Sequence, residues 1–116
     1  MNTSVTAEEV LARLAPHERA WVIEFRDRVR EELGARLKDL RIFGSKVRGE
    51  DHAESDIDLL VLVDGLDGDT DRRIHQISHT ISGWLSPMVF DFEEYHEPVH
   101  RASGFYKEMR KESVRL

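Results

Sequence analysis

The residues best placed to do chemistry are Gly44 and Ser45, followed after ten intervening positions by Asp56 and Asp58. The run Asp56 to Asp64 (DIDLLVLVD) reads as the strongest strand in the sequence. Side chains alternate faces along a strand, so Asp56 and Asp58 share a face with Leu60, Leu62 and Asp64, and their Cα atoms lie roughly 7 Å apart. Two carboxylates about 5 Å apart repel by about 3 kcal/mol at an effective dielectric near 20. Solvent or a cation relieves that cost. Magnesium takes oxygen ligands and combines one or two carboxylates with substrate phosphates. Two such ions about 4 Å apart stabilise the attacking and leaving oxygens of an in-line displacement. Two Mg²⁺ ions are therefore the expected metal cofactor.

The turn before that strand suits the other half of a metal–nucleotide complex. Gly44 lets backbone N–H groups approach a ligand closely, and successive N–H groups in such a turn form an anion-binding nest. Ser45 adds a hydroxyl. Lys46 and Arg48 are the nearest cations. They could meet triphosphate charge, and they fit ordinary surface charge equally well.

The string GSKVRGEDHAESDIDLLV resembles the nucleotidyltransferases of the DNA polymerase β superfamily, with Gly-Ser, ten residues, then Asp-x-Asp. The short form with Arg48-Gly49 and SDIDLLV looks most like the minimal nucleotidyltransferases (MNT). These are commonly encoded beside a HEPN-type ribonuclease toxin and act as its antitoxin. The likeness covers about residues 37–95. It implies that Asp56 and Asp58 hold both metals and that a third carboxylate on a later strand helps hold the catalytic one. Asp91 is the matching position, with Glu93 on the same strand face as the alternative. Catalytic and metal roles thus fall to Asp56, Asp58 and Asp91, and nucleotide binding to Gly44, Ser45, Lys46 and Arg48. The resemblance further implies ATP as donor and transfer of AMP to a tyrosine hydroxyl of a HEPN toxin. The alternatives are a non-catalytic antitoxin that masks its partner by contact, or transfer to a small molecule or RNA.

Several elements must position these residues. Thr6 with Glu9 is a capping box that opens a short helix through Val10, Leu11 and Leu14. Pro16 suits the first turn of a second helix, along which Val22, Phe25, Val29 and Leu33 recur at helical spacing. Gly34 stops it. Residues 37–43 read as a strand and 44–55 as a polar loop with room for one helical turn. A helix over 70–85 puts Ile74, Ile77, Ile81 and either Trp84 or Leu85 on one face. Pro87 opens a strand through Phe92, and a last helix runs from about Ala102 to Arg110 with Phe105 and Met109. The expected fold is α/β (α+β): a small mixed sheet with helices mainly on one face, forming a polymerase β-like core. All 116 residues form one domain, with N-terminal helices over 1–34, a catalytic core over 37–95 and a C-terminal helix over 101–116.

Composition narrows the classes. The chain is 40% hydrophobic and 34% charged, an ordinary globular balance. It has no cysteine, which excludes disulfides and thiolate metal sites. Net charge is −6, and residues 50–71 hold nine acidic and no basic side chains. General nucleic-acid binding, which needs excess Lys and Arg, is not expected. Neither a signal peptide nor a membrane span is legible, so a cytoplasmic protein without membrane contact is expected. His75 and His79 are four apart, a zinc-compatible spacing, but no third ligand accompanies them, and exposed helix histidines are the expectation.

Overall fold

The computed structural model describes residues 5–49 and 56–116. The chain begins with α1 (Ala7–Arg13) and α2 (Pro16–Leu33), and a 3-10 turn (Gly34–Arg36) leads into β1 (Leu37–Phe43). Next come α3 (Ser45–Arg48), β2 (Ile57–Val63), α4 (Gly68–Ile81) and β3 (Leu85–Asp91). The C-terminal part holds α5 (Phe92–Tyr95), α6 (Pro98–Arg101), α7 (Gly104–Glu112) and β4 (Val114–Arg115). Residues 50–55, the remainder of the expected polar loop, lie outside the described residues.

Local signals account for most boundaries. The Thr6 hydroxyl accepts from the Glu9 N–H and caps α1. Pro16 sits in the first turn of α2, and the Glu18 carboxylate folds back to accept from the Ala15 N–H at 3.2 Å. Gly34, at φ +54°, ends that helix in a conformation that L side chains rarely adopt. The Asp67 side chain accepts from the Thr70 N–H and opens α4 earlier than periodicity alone suggests.

The four strands form one mixed sheet in the order β3-β2-β1-β4. β1 and β2 are antiparallel, β2 and β3 are parallel, and β4 runs antiparallel to β1. β2 is central, and six of its seven residues are buried. Its near-continuous apolar run reflects burial on both faces. Pro87 lies in β3, an edge strand, where its missing N–H costs no ladder bond on the open side.

The two long helices cover one face. Val22, Phe25 and Val29 of α2 and Ile74 and Ile77 of α4 pack on Leu40, Ile42, Ile57, Leu59, Val61 and Val63. Fully burying a side chain of this kind is worth about 1.5–3 kcal/mol, so this layer holds most of the fold's stability. The other face carries a smaller cluster, in which Phe43, Leu60 and Leu62 meet Tyr95, Tyr106 and Met109 from α5 and α7. These short helices cover only part of it. Among the described residues, no helix is long and apolar enough to cross a membrane.

Candidate active site

The β1–β2 pairing brings the two halves of the motif together. Phe43 at the end of β1 lies opposite Asp58 near the start of β2. The next residue, Gly44, turns the chain at φ +81° and ψ −151°, a region essentially restricted to glycine. Its carbonyl accepts from the N–H groups of Val47 and Arg48, which starts α3. A Cβ on Gly44 would stand 2.5 Å from Asp58 Oδ2. The missing side chain is thus what lets the turn close on the carboxylate. Ser45 comes next as the first residue of α3, half-buried.

Asp58 is half-buried, and Asp56 stands exposed just before β2. Burial is the main cause that pushes the Asp58 carboxyl above the usual aspartate range. The charge of Asp56 adds to the rise, and the Arg48 guanidinium offsets part of it. The elevation has the sign expected of two nearby carboxylates, one of them partly desolvated.

The two cations of the turn are differently engaged. Lys46 is buried, and its ammonium donates to Glu18 Oε2 at 2.8 Å, tying α3 to α2. Arg48 is exposed and pairs with Glu112 Oε2 at 2.8 Å, tying α3 to α7. Its field still reaches Asp58. Sequence reasoning missed Glu18 as the partner of Lys46. Its position three residues after the α2 cap signals a role at that helix start, but nothing local points to a lysine 28 residues away.

Asp91 does not join the pair. In the parallel β2–β3 register Asp58 lies opposite Ser86, whereas Asp91 lies opposite Val63. That offset of five residues is about 16 Å along the strand. Asp91 instead caps α5: one oxygen accepts from the Leu66 N–H at 2.9 Å and the other from the Glu94 N–H at 3.2 Å. These bonds, Leu66 first, hold its carboxyl below the usual range. Glu93 fares no better as a third ligand, because the strand has ended and Glu93 lies on α5. The β3 residues opposite Asp58 and Leu60 are Ser86 and Met88.

The expectation of a magnesium centre is therefore corrected. Among the described residues, no group of three or more His, Cys, Asp or Glu side chains comes together to hold a metal ion. The register of β3 is the physical reason: it delivers a hydroxyl and a thioether where a third acid was required. The donor set does not fit the two-ion centre that the motif suggested.

Residues 22–112 match the nucleotidyltransferase domain family. The chain belongs to this family. The match extends well beyond residues 37–95, taking in the later part of α2, β1 to β3 and α7. No curated protein is similar enough to match this nucleotidyltransferase domain. Among solved structures, it is similar to a candidate nucleotidyltransferase from Sulfolobus solfataricus, at 24% identity and a TM-score of 0.54, over 99% of this chain and 89% of that one. It is also similar to a toxin–antitoxin crystallised with AMP-PNP, at 18% identity and a TM-score of 0.53, over 78% of this chain and 68% of that one. A mutant of the toxin–antitoxin MntA–HpeT matches over the same shares, at 15% identity and a TM-score of 0.50. These likenesses establish a common fold, consistent with a polymerase β-like nucleotidyltransferase core.

Proposed function

We propose that this nucleotidyltransferase domain moves a nucleoside monophosphate, AMP by preference, onto a hydroxyl of a protein partner, and so acts as the antitoxin of a HEPN-type toxin. The observation that carries the reading is the contact between the Gly44 turn and Asp58, where a glycine-only backbone closes directly on a carboxylate. Family membership and the fold shared with two toxin–antitoxin structures support it. In this reading the Gly44–Ser45 turn holds the phosphates. The acceptor oxygen attacks the α-phosphorus, the bond to the β-phosphate breaks, and pyrophosphate leaves. Asp58 takes the acceptor's proton, a role suited to a carboxylate whose basicity is raised by burial.

A second reading is favoured by the residues opposite Asp58. With Ser86 and Met88 there, and no acid beside them on β3, the chain neutralises its partner by contact alone. One experiment separates the two. A HEPN-type toxin is incubated with this chain and with nucleoside triphosphate labelled in the α-phosphate. Transfer predicts a labelled partner tyrosine and loss of label with Asp58→Asn. Labelling that survives Asp58→Asn removes the mechanism. Full neutralisation by the Asp56→Asn/Asp58→Asn pair, without label, establishes masking.

A further inference from the structure

A cavity of about 390 Å³ opens on the sheet face that carries Asp58, displaced toward the far end of the strands. Leu60 and Leu62 of β2 line it, two and four residues beyond Asp58, and α5, α6 and α7 supply the opposite side. Phe43, Phe105 and Phe90 pack together nearby, with ring centroids 6.1 and 5.9 Å apart. Gly44, Ser45 and Asp58 are not among the residues that line the cavity.

Its charge is unusual for so acidic a chain. Arg41, Arg101 and Arg110 line it against a single acid, Asp39. That acid is already met twice, by Arg41 Nε at 2.7 Å and Arg115 Nε at 3.0 Å. Arg41 also donates to the Ser113 hydroxyl, which fixes its position. Among the described residues, by contrast, the side chains of Arg101 and Arg110 have no hydrogen-bond or ion-pair partner. An adjoining cavity shares Arg101, Tyr106 and Arg110 and adds Lys107. The Tyr106 hydroxyl, 2.9 Å from His96 Nδ1, adds a polar group to the same wall.

Arg101 and Arg110 are exposed, and guanidinium groups gathered at the mouth of a cavity give it a positive potential that attracts anions. Guanidinium groups present forked N–H donors that match the oxygens of phosphate. The volume falls within the range of small-molecule sites, about 300–1,000 Å³. We propose that this cavity binds a small phosphate-bearing molecule, with Arg101 and Arg110 gripping the phosphate oxygens and Arg41 setting the charge behind them.

Pyrophosphate is the probe. Titrated into the full chain by calorimetry at about 0.1 M salt, it should show a saturable site whose affinity depends on these arginines. Arg101→Gln and Arg110→Gln should each weaken binding about tenfold, the effect of one lost charge-assisted hydrogen bond. Neither arginine is tied into the fold through its side chain, so both variants should keep the wild-type melting temperature. Arg28→Gln, at an arginine that pairs with Glu24 within α2, should leave the affinity unchanged. The absence of saturable binding would overturn the proposal. So would binding that ignores both arginine changes, or binding that Arg28→Gln weakens equally.

Discussion

Replacing Gly44 with alanine tests the contact on which the candidate site depends. The structure imposes two independent costs. The backbone at φ +81° and ψ −151° lies where only glycine is comfortable, and holding another residue there costs about 1–3 kcal/mol. The new methyl would also stand 2.5 Å from Asp58 Oδ2, and turning that half-buried carboxylate aside costs about 0.5–1.5 kcal/mol more. The sum, about 1.5–4.5 kcal/mol, is a sizeable part of the roughly 5–15 kcal/mol that holds a typical domain together. At about 4 °C per kcal/mol for a chain of this size, Gly44→Ala should lower Tm by about 6–18 °C. Urea unfolding of wild type, Gly44→Ala, Asp58→Ala and the double variant separates the two costs. Asp58→Ala removes the overlapping oxygen and leaves its own Cβ in ordinary contact at 3.7 Å. The double variant should therefore recover about 0.5–1.5 kcal/mol of the Gly44→Ala loss, while the backbone cost stays. If Gly44→Ala leaves Tm unchanged, the turn is not closed on Asp58. If the double variant recovers nothing, the carboxylate is not what fills the space.

The two aspartates should respond oppositely to acid. Asp91 has a depressed folded pKa, so its contribution is present above the unfolded aspartate pKa and disappears as pH falls through the lower folded value. Asp91→Asn should destabilise at neutral pH, and the difference from wild type should shrink as pH falls below the ordinary aspartate range in chemical-denaturation series. Asp58 has a raised folded pKa, so the wild type gains stability as pH falls through that value. Asp58→Asn should stabilise the chain at neutral pH and remove that gain, and a destabilised Asp58→Asn at pH 7 would contradict the geometry. Burial pushes the Tyr95 hydroxyl up to about 12, assisted by Tyr106. Spectrophotometric titration should show one tyrosine ionising well above the ordinary value, and Tyr95→Phe should abolish that step. Glu18→Ala removes a carboxylate that meets the buried Lys46 ammonium and the Ala15 N–H and should lower stability in urea unfolding, whereas Glu18→Ala in a Lys46→Met background should lower it less.

What the sequence could disclose was whatever a short window decides. β1 over 37–43, the Thr6 cap, Pro16 at the start of α2 and the helical turn after Gly44 all depend on neighbours a few residues away, and the structure has them where spacing put them. The Gly44–Asp58 contact was also within reach, because one antiparallel pairing closes the loop between them. The third acid was not, for two reasons. Alternating aromatics in Val89–Phe92 look like a continuing strand, yet Asp91 with Glu94 three residues on has the spacing of a helix cap, and the cap won. The second reason is nonlocal. Which β3 residue lies beside Asp58 depends on how far α4 and its connections carry the chain before it returns, and here that puts Ser86 there. The partners of Lys46 and Arg48 fail to show for the same cause, since they come from α2 and α7, 28 and 64 residues away. Spacing within a motif therefore identifies the groups that a turn brings together. The chemistry those groups can perform is decided by strands and helices whose register no short window contains.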